Sequence, residues 1–240
     1  MTLSSELAAL YVSRWDRLAK KLATASKLLG RETLTNPLLL AVPDEGAYRE
    51  ADVKVMYFGQ ETNSWHGPFM SEPASNAVSV LQDAYNEFFW TRYSYDEYGG
   101  HFWTALKKFD GAFAKAFRGK KVVATWNNVV KVGFAGKKGA PPDEICDLVM
   151  EQFDVIAEEV RILEPDIVLF LTGPCYDESI VDAFSGATFE ETGERPLRQL
   201  ARVLARGLPP NSFRTYHPKY LSFHEPQVYR KQIVSLVNLT

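Results

Sequence analysis

The chain has 240 residues, 46% of them hydrophobic and 24% charged, with a formal net charge of −3. That balance is ordinary for a soluble globular protein, and the length buries a sizeable core without disulfides or structural metal. Two cysteines, Cys146 and Cys175, without a CxxC spacing exclude a four-cysteine zinc or iron–sulfur site built from this chain alone, and the weak net charge gives no overall pull toward nucleic acid.

Residues 1–30 contain no long apolar run, so neither a signal peptide nor a membrane span is expected, and a reducing cytoplasm fits the cysteine usage. From about Ser5 to Leu29, apolar residues at Leu7, Leu10, Leu18, Leu22, Ala25 and Leu29 recur at helical spacing, with Arg14, Arg17, Lys20 and Lys21 between them. This predicts an amphipathic helix that stops near Gly30, forming an N-terminal helical extension over about residues 1–35. Asn36 to Glu50, with Pro37, Pro43 and Gly46, reads as irregular.

Short apolar runs follow at Val53–Phe58, Val122–Thr125, Ile167–Leu171 and near Phe213–Tyr216. They are apolar on both parities, as strands covered on both faces of a parallel sheet are. Helical patterns lie between and after them at Phe102–Phe117, Asp143–Leu163, Leu197–Arg206 and Pro226–Leu239. The alternation predicts a single α/β domain, three-layer α/β/α, around a central four-stranded parallel sheet. Trp65–Gly100 is too long for an ordinary connection and carries Phe88-Phe89-Trp90, Tyr93, Tyr95 and Tyr98. It reads as a helix plus an ordered excursion near the mouth of a site.

Charge is segregated. From Lys107 to Lys138 there are nine lysines or arginines against one acid, Asp110, whereas acids dominate from Asp143 to Asp166. A local basic face is compatible with an acidic total.

The polar residues that stand out fall at the carboxyl ends of the expected strands, the edge where α/β sheets bind ligands. Gln60 and Glu61 follow the first, Asn127 and Asn128 the second, Gly173-Pro174 the third and His217 the fourth. A carboxylate, an amide and an imidazole would then converge on one crevice.

In this order the segments resemble a known family. Gly59-Gln60-Glu61-Thr62-Asn63 resembles the GQDPY motif of uracil-DNA glycosylases. Asn128-Val129-Val130-Lys131 is similar to the TNVVK segment of that superfamily's iron–sulfur branch. His217-Pro218-Lys219-Tyr220-Leu221 resembles the HPSPL motif, and Gly100-His101-Phe102-Trp103-Thr104-Ala105-Leu106 resembles the FWxxL helix of the mismatch-specific branch. The resemblance spans roughly residues 38–222. Glu61 stands where the motif has aspartate, Thr62-Asn63 where it has Pro-Tyr, and Lys219-Tyr220 where it has Ser-Pro.

The resemblance implies a divergent superfamily member that flips a nucleotide out of the stack and hydrolyses its base–sugar bond in repair. Its partner would be single- or double-stranded DNA carrying uracil or a related damaged base. It implies a monomer without membrane attachment, and no cofactor, cluster or metal. Glu61 would stabilise the sugar cation and activate water, while His217 would donate to the base oxygen that gains charge. Gln60, Asn63, Phe69 and Asn128 would bind the base, with Phe69 stacking on it. The Asn128 amide would accept from a ring N–H and donate to the adjacent carbonyl. Lys131, Lys137, Lys138 and Lys219 would meet phosphates, and Leu221 would fill the hole left in the duplex. A non-catalytic member that binds nucleic acid or a nucleobase in the same pocket, and a hydrolase of free nucleosides or another small glycoside, are the alternatives.

Overall fold

A computed structural model describes residues 2–29, 33–70 and 72–239, with backbone alone at 26–28. The first helix, α1 (Leu3–Leu28), is capped by the Thr2 hydroxyl, which accepts from the Ser5 N–H at 3.1 Å. The expected stop at Gly30 lies outside the described residues. The buried stripe of α1 is Leu3, Leu7, Tyr11, Trp15, Leu18, Leu22 and Ala25, at spacings of three or four. Two aromatic rings thus complete the seam that the leucine pattern outlines, and Leu10 stands beside it, half-buried.

This stripe is part of the main hydrophobic core, so α1 is less an extension than one of its walls. The segment after it, expected to be irregular, is buried from Leu34 to Val42 and runs along the chain beyond the second strand. Thr35 N–H donates to Gly133 O and Leu38 N–H to Lys131 O. A short helix, α2 (Glu45–Arg49), follows.

The sheet is six-stranded and mixed, in the order β2-β1-β3-β6-β5-β4. Strands β1 (Val53–Glu61), β2 (Val122–Val130), β3 (Ile167–Phe170) and β6 (Asn211–Thr215) pair in parallel, whereas β4 (Thr188–Glu191) and β5 (Leu200–Leu204) are antiparallel. The α/β class agrees with the sequence, but the sheet has two strands more than the four expected. The helix expected over Leu197–Arg206 is β5. Its leucine, alanine and arginine favour a helix locally, yet Leu200, Ala201 and Val203 are buried in the ladder and the Arg202 guanidinium lies 4.9 Å from the Phe213 ring centre. Tertiary pairing overrides propensity here.

Helices cover both faces. On one face, Tyr57 donates to Asp110 of α4 (Gly100–Ala116) at 2.8 Å, and Trp126 stacks on Tyr85 of α3 (Ala74–Tyr85) at 6.0 Å. On the other, Phe58 stacks on Phe170 at 4.8 Å and meets Phe184, which closes α7 (Asp177–Ala183). The long helix expected over Asp143–Leu163 is broken into α5 (Asp143–Gln152) and α6 (Ile156–Leu163). After β6 come α8 (Pro218–Leu221) and α9 (Pro226–Leu236). Among the described residues no helix is long and apolar enough to cross a membrane.

Trp65–Gly100 contains α3 and two five-residue π-helical turns, Asn86–Trp90 and Ser94–Tyr98. Such turns are rare and recur at functional sites. They carry Phe88, Phe89, Tyr95 and Tyr98 into one aromatic cluster with Trp103 and Trp126.

Candidate active site

Both parallel strands that bear the candidate residues extend past their apolar runs. Strand β1 continues to Glu61 and β2 to Val130, so Asn127 and Asn128 lie within a strand rather than after it. Successive strand residues point to opposite faces, and the two asparagines therefore part company. Asn127 turns toward α6, where its amide donates to Glu159 at 2.9 Å. Asn128 shares the face of Trp126 and sits in register opposite Gly59.

A cavity of about 480 Å³ opens at this edge, and it brings together Glu61, Asn128 and His217, with Gln60, Asn63, Lys138 and Lys219 also in its lining. Its wall includes six aromatic side chains, Trp65, Phe88, Tyr98, Phe102, Trp103 and Trp126. A wider groove of about 880 Å³ adjoins it through Asn63, Trp65, Phe88 and Tyr98.

Each polar group has a defined anchor. The Gln60 amide donates to Thr172 O at 2.7 Å, and the Tyr176 hydroxyl donates to Glu61 Oε2 at 2.5 Å. Burial, reinforced by that carboxylate, pushes the Tyr176 hydroxyl well above its ordinary range, so it stays a donor. The end of β3 and the turn Pro174–Tyr176 thus hold the end of β1. Nothing in the sequence marked Tyr176, because it lies 115 residues from its partner.

His217 caps α8. Its Nδ1 accepts from the Lys219 N–H at 3.2 Å, which leaves the proton of the neutral ring on Nε2. The ring lies nearly parallel to Phe102, with centres 6.1 Å apart. Burial, then the neighbouring His101 and Lys219, lower its pKa to about 4. The imidazole is therefore a neutral donor at pH 7.

That shift has a stability consequence. Between the ordinary histidine value of 6.5 and the folded value of about 4, the unfolded chain binds more protons than the folded one. The contribution is full above pH 6.5 and is lost as pH falls through about 4. Urea unfolding midpoints should drop between pH 7 and pH 4.5 in the wild type, and drop less in His217→Gln. Parallel pH curves for the two proteins would show that His217 is not the group responsible.

Gly59 makes room for Asn128. A Cβ at position 59 would lie 2.4 Å from Asn128 Oδ1 and 3.2 Å from the Phe102 ring. Gly59→Ala should cost about 1–3 kcal/mol through overpacking, read as a lower denaturation midpoint. An unchanged midpoint would mean that the amide moves aside freely.

Several expected site residues lie elsewhere. Phe69 is outside the cavity and stacks on Trp15 of α1 at 5.5 Å. The loop that carries it is pinned by Asn36, whose amide donates to His66 O and Pro68 O, both at 3.0 Å, while its oxygen accepts from Met70 N. Lys131 is buried, its Nζ 2.7 Å from Glu159 and 2.6 Å from Asn127 Oδ1, so it is a core cation and not a phosphate contact. Leu221 is buried on α8 at 4% exposure, which removes it as a wedge. The most exposed large hydrophobic side chain of that segment is Phe223, at 73%, ahead of Tyr220 at 47%. Lys137 lies over the Phe134 ring at 4.6 Å, on the exposed turn that also bears Lys138. The basic run is not one continuous face, since Lys107 pairs with Asp96 and Lys121 with Glu50.

No protein-family model and no curated protein matches this chain. Among the described residues, no group of three or more His, Cys, Asp or Glu side chains is arranged to hold a metal ion.

Proposed function

We propose that this protein is a DNA base-excision glycosylase of the uracil-DNA glycosylase superfamily, hydrolysing the bond between deoxyribose C1′ and uracil or a related damaged base. The observation that carries this reading is the meeting of Glu61, Asn128 and His217 in one cavity. The parallel strand order β2-β1-β3-β6 also supports it, since it sets the motif-bearing strand ends along one edge.

The chemistry follows from the groups present. The C1′–N bond breaks with its electron pair leaving on the base, and the sugar becomes an oxocarbenium ion. The Glu61 carboxylate, with one oxygen held by Tyr176, stabilises that cation and takes a proton from the attacking water, whose oxygen bonds to C1′. His217, neutral and protonated on Nε2, donates a hydrogen bond to the base as negative charge grows there. The released base then takes up a proton from solvent. Lys138 and Lys219 at the rim meet phosphates, and Phe223 is the exposed side chain placed to enter a duplex.

A hydrolase of free nucleosides is the second reading. It is favoured by the internal positions of Lys131 and Leu221, which remove two of the expected DNA contacts.

The test is incubation of the purified protein with single-stranded and duplex oligonucleotides bearing uracil, hypoxanthine or oxidised bases, followed by alkaline cleavage of abasic sites. Abasic product on at least one substrate is expected. DNA binding without product would favour a non-catalytic binder, and neither binding nor product would favour the nucleoside reading.

A further inference from the structure

The orientation of the Asn128 amide is decided by its neighbour. The Trp126 indole N–H lies 3.2 Å from Asn128 Oδ1, and an indole nitrogen only donates. The atom facing it must therefore be the amide oxygen. That oxygen is wedged on its other side against Gly59, 2.4 Å from where a Cβ would stand. The residue is 3% exposed and lines the cavity, and its Nδ2 bonds no described residue. The group left for a ligand is the NH₂ donor, not the donor–acceptor pair expected from the sequence.

Of the other lining groups, Glu61 is an acceptor, committed on the glycosylase reading to the sugar and the attacking water, whereas His217 shares the donor polarity of Asn128. His217 offers Nε2–H, because its Nδ1 is occupied by the Lys219 N–H. Two donors, the Asn128 amide and the His217 Nε2–H, thus face a space walled by six aromatic rings. A ligand that fills it leaves fewest buried groups unpaired if it presents acceptors along one edge and a broad flat ring to stack.

On the glycosylase reading above, we infer that this cavity selects an oxopurine, such as hypoxanthine or xanthine, by its O6/N7 edge and discriminates against uracil. That edge carries two adjacent acceptors and no donor. Uracil places N3–H between its two carbonyls, so a fixed amide donor pairs with one carbonyl at most and faces an N–H beside it. Cytosine also offers adjacent acceptors at O2 and N3, but its single ring leaves more of the aromatic wall and of the 480 Å³ cavity unfilled. Guanine shares the O6/N7 edge. A mispaired hypoxanthine is extruded at lower cost than a paired guanine, so the stack itself supplies that distinction.

Two measurements separate this inference from the reading it rests on. Calorimetric binding of free hypoxanthine, uracil and cytosine needs no catalysis. Single-turnover excision from duplexes containing deoxyinosine or deoxyuridine needs both. Hypoxanthine should bind, and deoxyinosine should be cut, at least about tenfold better than the uracil counterparts. Asn128→Asp keeps the shape and the bond to Trp126 but exchanges the donor for an acceptor, and should abolish that preference. Trp126→Phe frees the amide to rotate, and should bring the two bases within about threefold of each other, since a free amide can pair with either edge.

Preferential binding and excision of uracil would overturn the inference while leaving the glycosylase reading intact. Hypoxanthine binding without excision of any base would leave the inference standing and remove the glycosylase. Preference for cytosine, binding of no base, or a preference unchanged in both variants would overturn the inference.

Discussion

Glu61→Gln should lower base release by about 10²–10⁴-fold, the range that a positioned acid or base contributes. The substitution keeps the side chain's size and its hydrogen bond from Tyr176, and removes only the charge that faces the sugar cation and receives the water proton. His217→Ala should cost about 10²–10³-fold, because the donor to the departing base is lost. Binding of an uncleaved oligonucleotide should largely survive in both variants. The double variant should lose less than the product of the two effects, since both residues serve one transition state. Single-turnover kinetics on the best substrate reads each loss. Wild-type turnover in either single variant would show that the carboxylate or the imidazole has been misassigned.

The second large effect lies in the core. Lys131 and Glu159 are fully buried, and the pair is tied to three other residues. Lys131 Nζ also reaches Asn127 Oδ1 and Leu38 O, while Tyr11 donates to Glu159 Oε1 at 2.6 Å and Asn127 to Oε2 at 2.9 Å. Burial pulls the Lys131 ammonium below its ordinary pKa, and Glu159 pushes back. Lys131→Met leaves a buried carboxylate with hydrogen bonds but no cation, and should cost about 3–5 kcal/mol. Adding Glu159→Gln should recover part of that loss, because the uncompensated charge goes with it. Urea denaturation at pH 7 measures both steps. A single variant as stable as wild type would mean that water or a rearrangement satisfies the carboxylate.

These two sites show what the sequence made legible. The α/β alternation and the polar groups at strand ends were readable because buried parallel strands are short apolar runs and their carboxyl ends share an edge. Glu61, Asn128 and His217 do meet in one cavity. The misplaced residues share a different cause. Lys131 looks like part of a basic run, and only the strand continuing through Asn127 and Asn128 turns its surroundings inward. Leu221 and Phe223 stand two apart in the same loop, and which one is exposed depends on how α8 seats against its neighbours. Phe69 was one aromatic among many, and its partner Trp15 lies in the first helix. Trp126 carried a readable signal, since it precedes Asn128 by two positions on a strand and must share its face. Tyr176 carried none.

The bond between Tyr11 and Glu159 joins residues 148 apart in the chain. The same hydroxyl accepts from the Leu40 N–H at 3.0 Å, so one atom ties α1 both to the segment that follows it and to α6 far along the chain. At typical rates of synthesis, on the order of ten seconds separate the appearance of Tyr11 and Glu159 at the ribosome. In that interval Leu40, Phe69 and α3 are already available to α1, and the Glu159 end of the bond is what is missing. The seat of α1 is complete only once α6 is present: a chain cut before Glu159 would leave the Tyr11 hydroxyl one of its two partners.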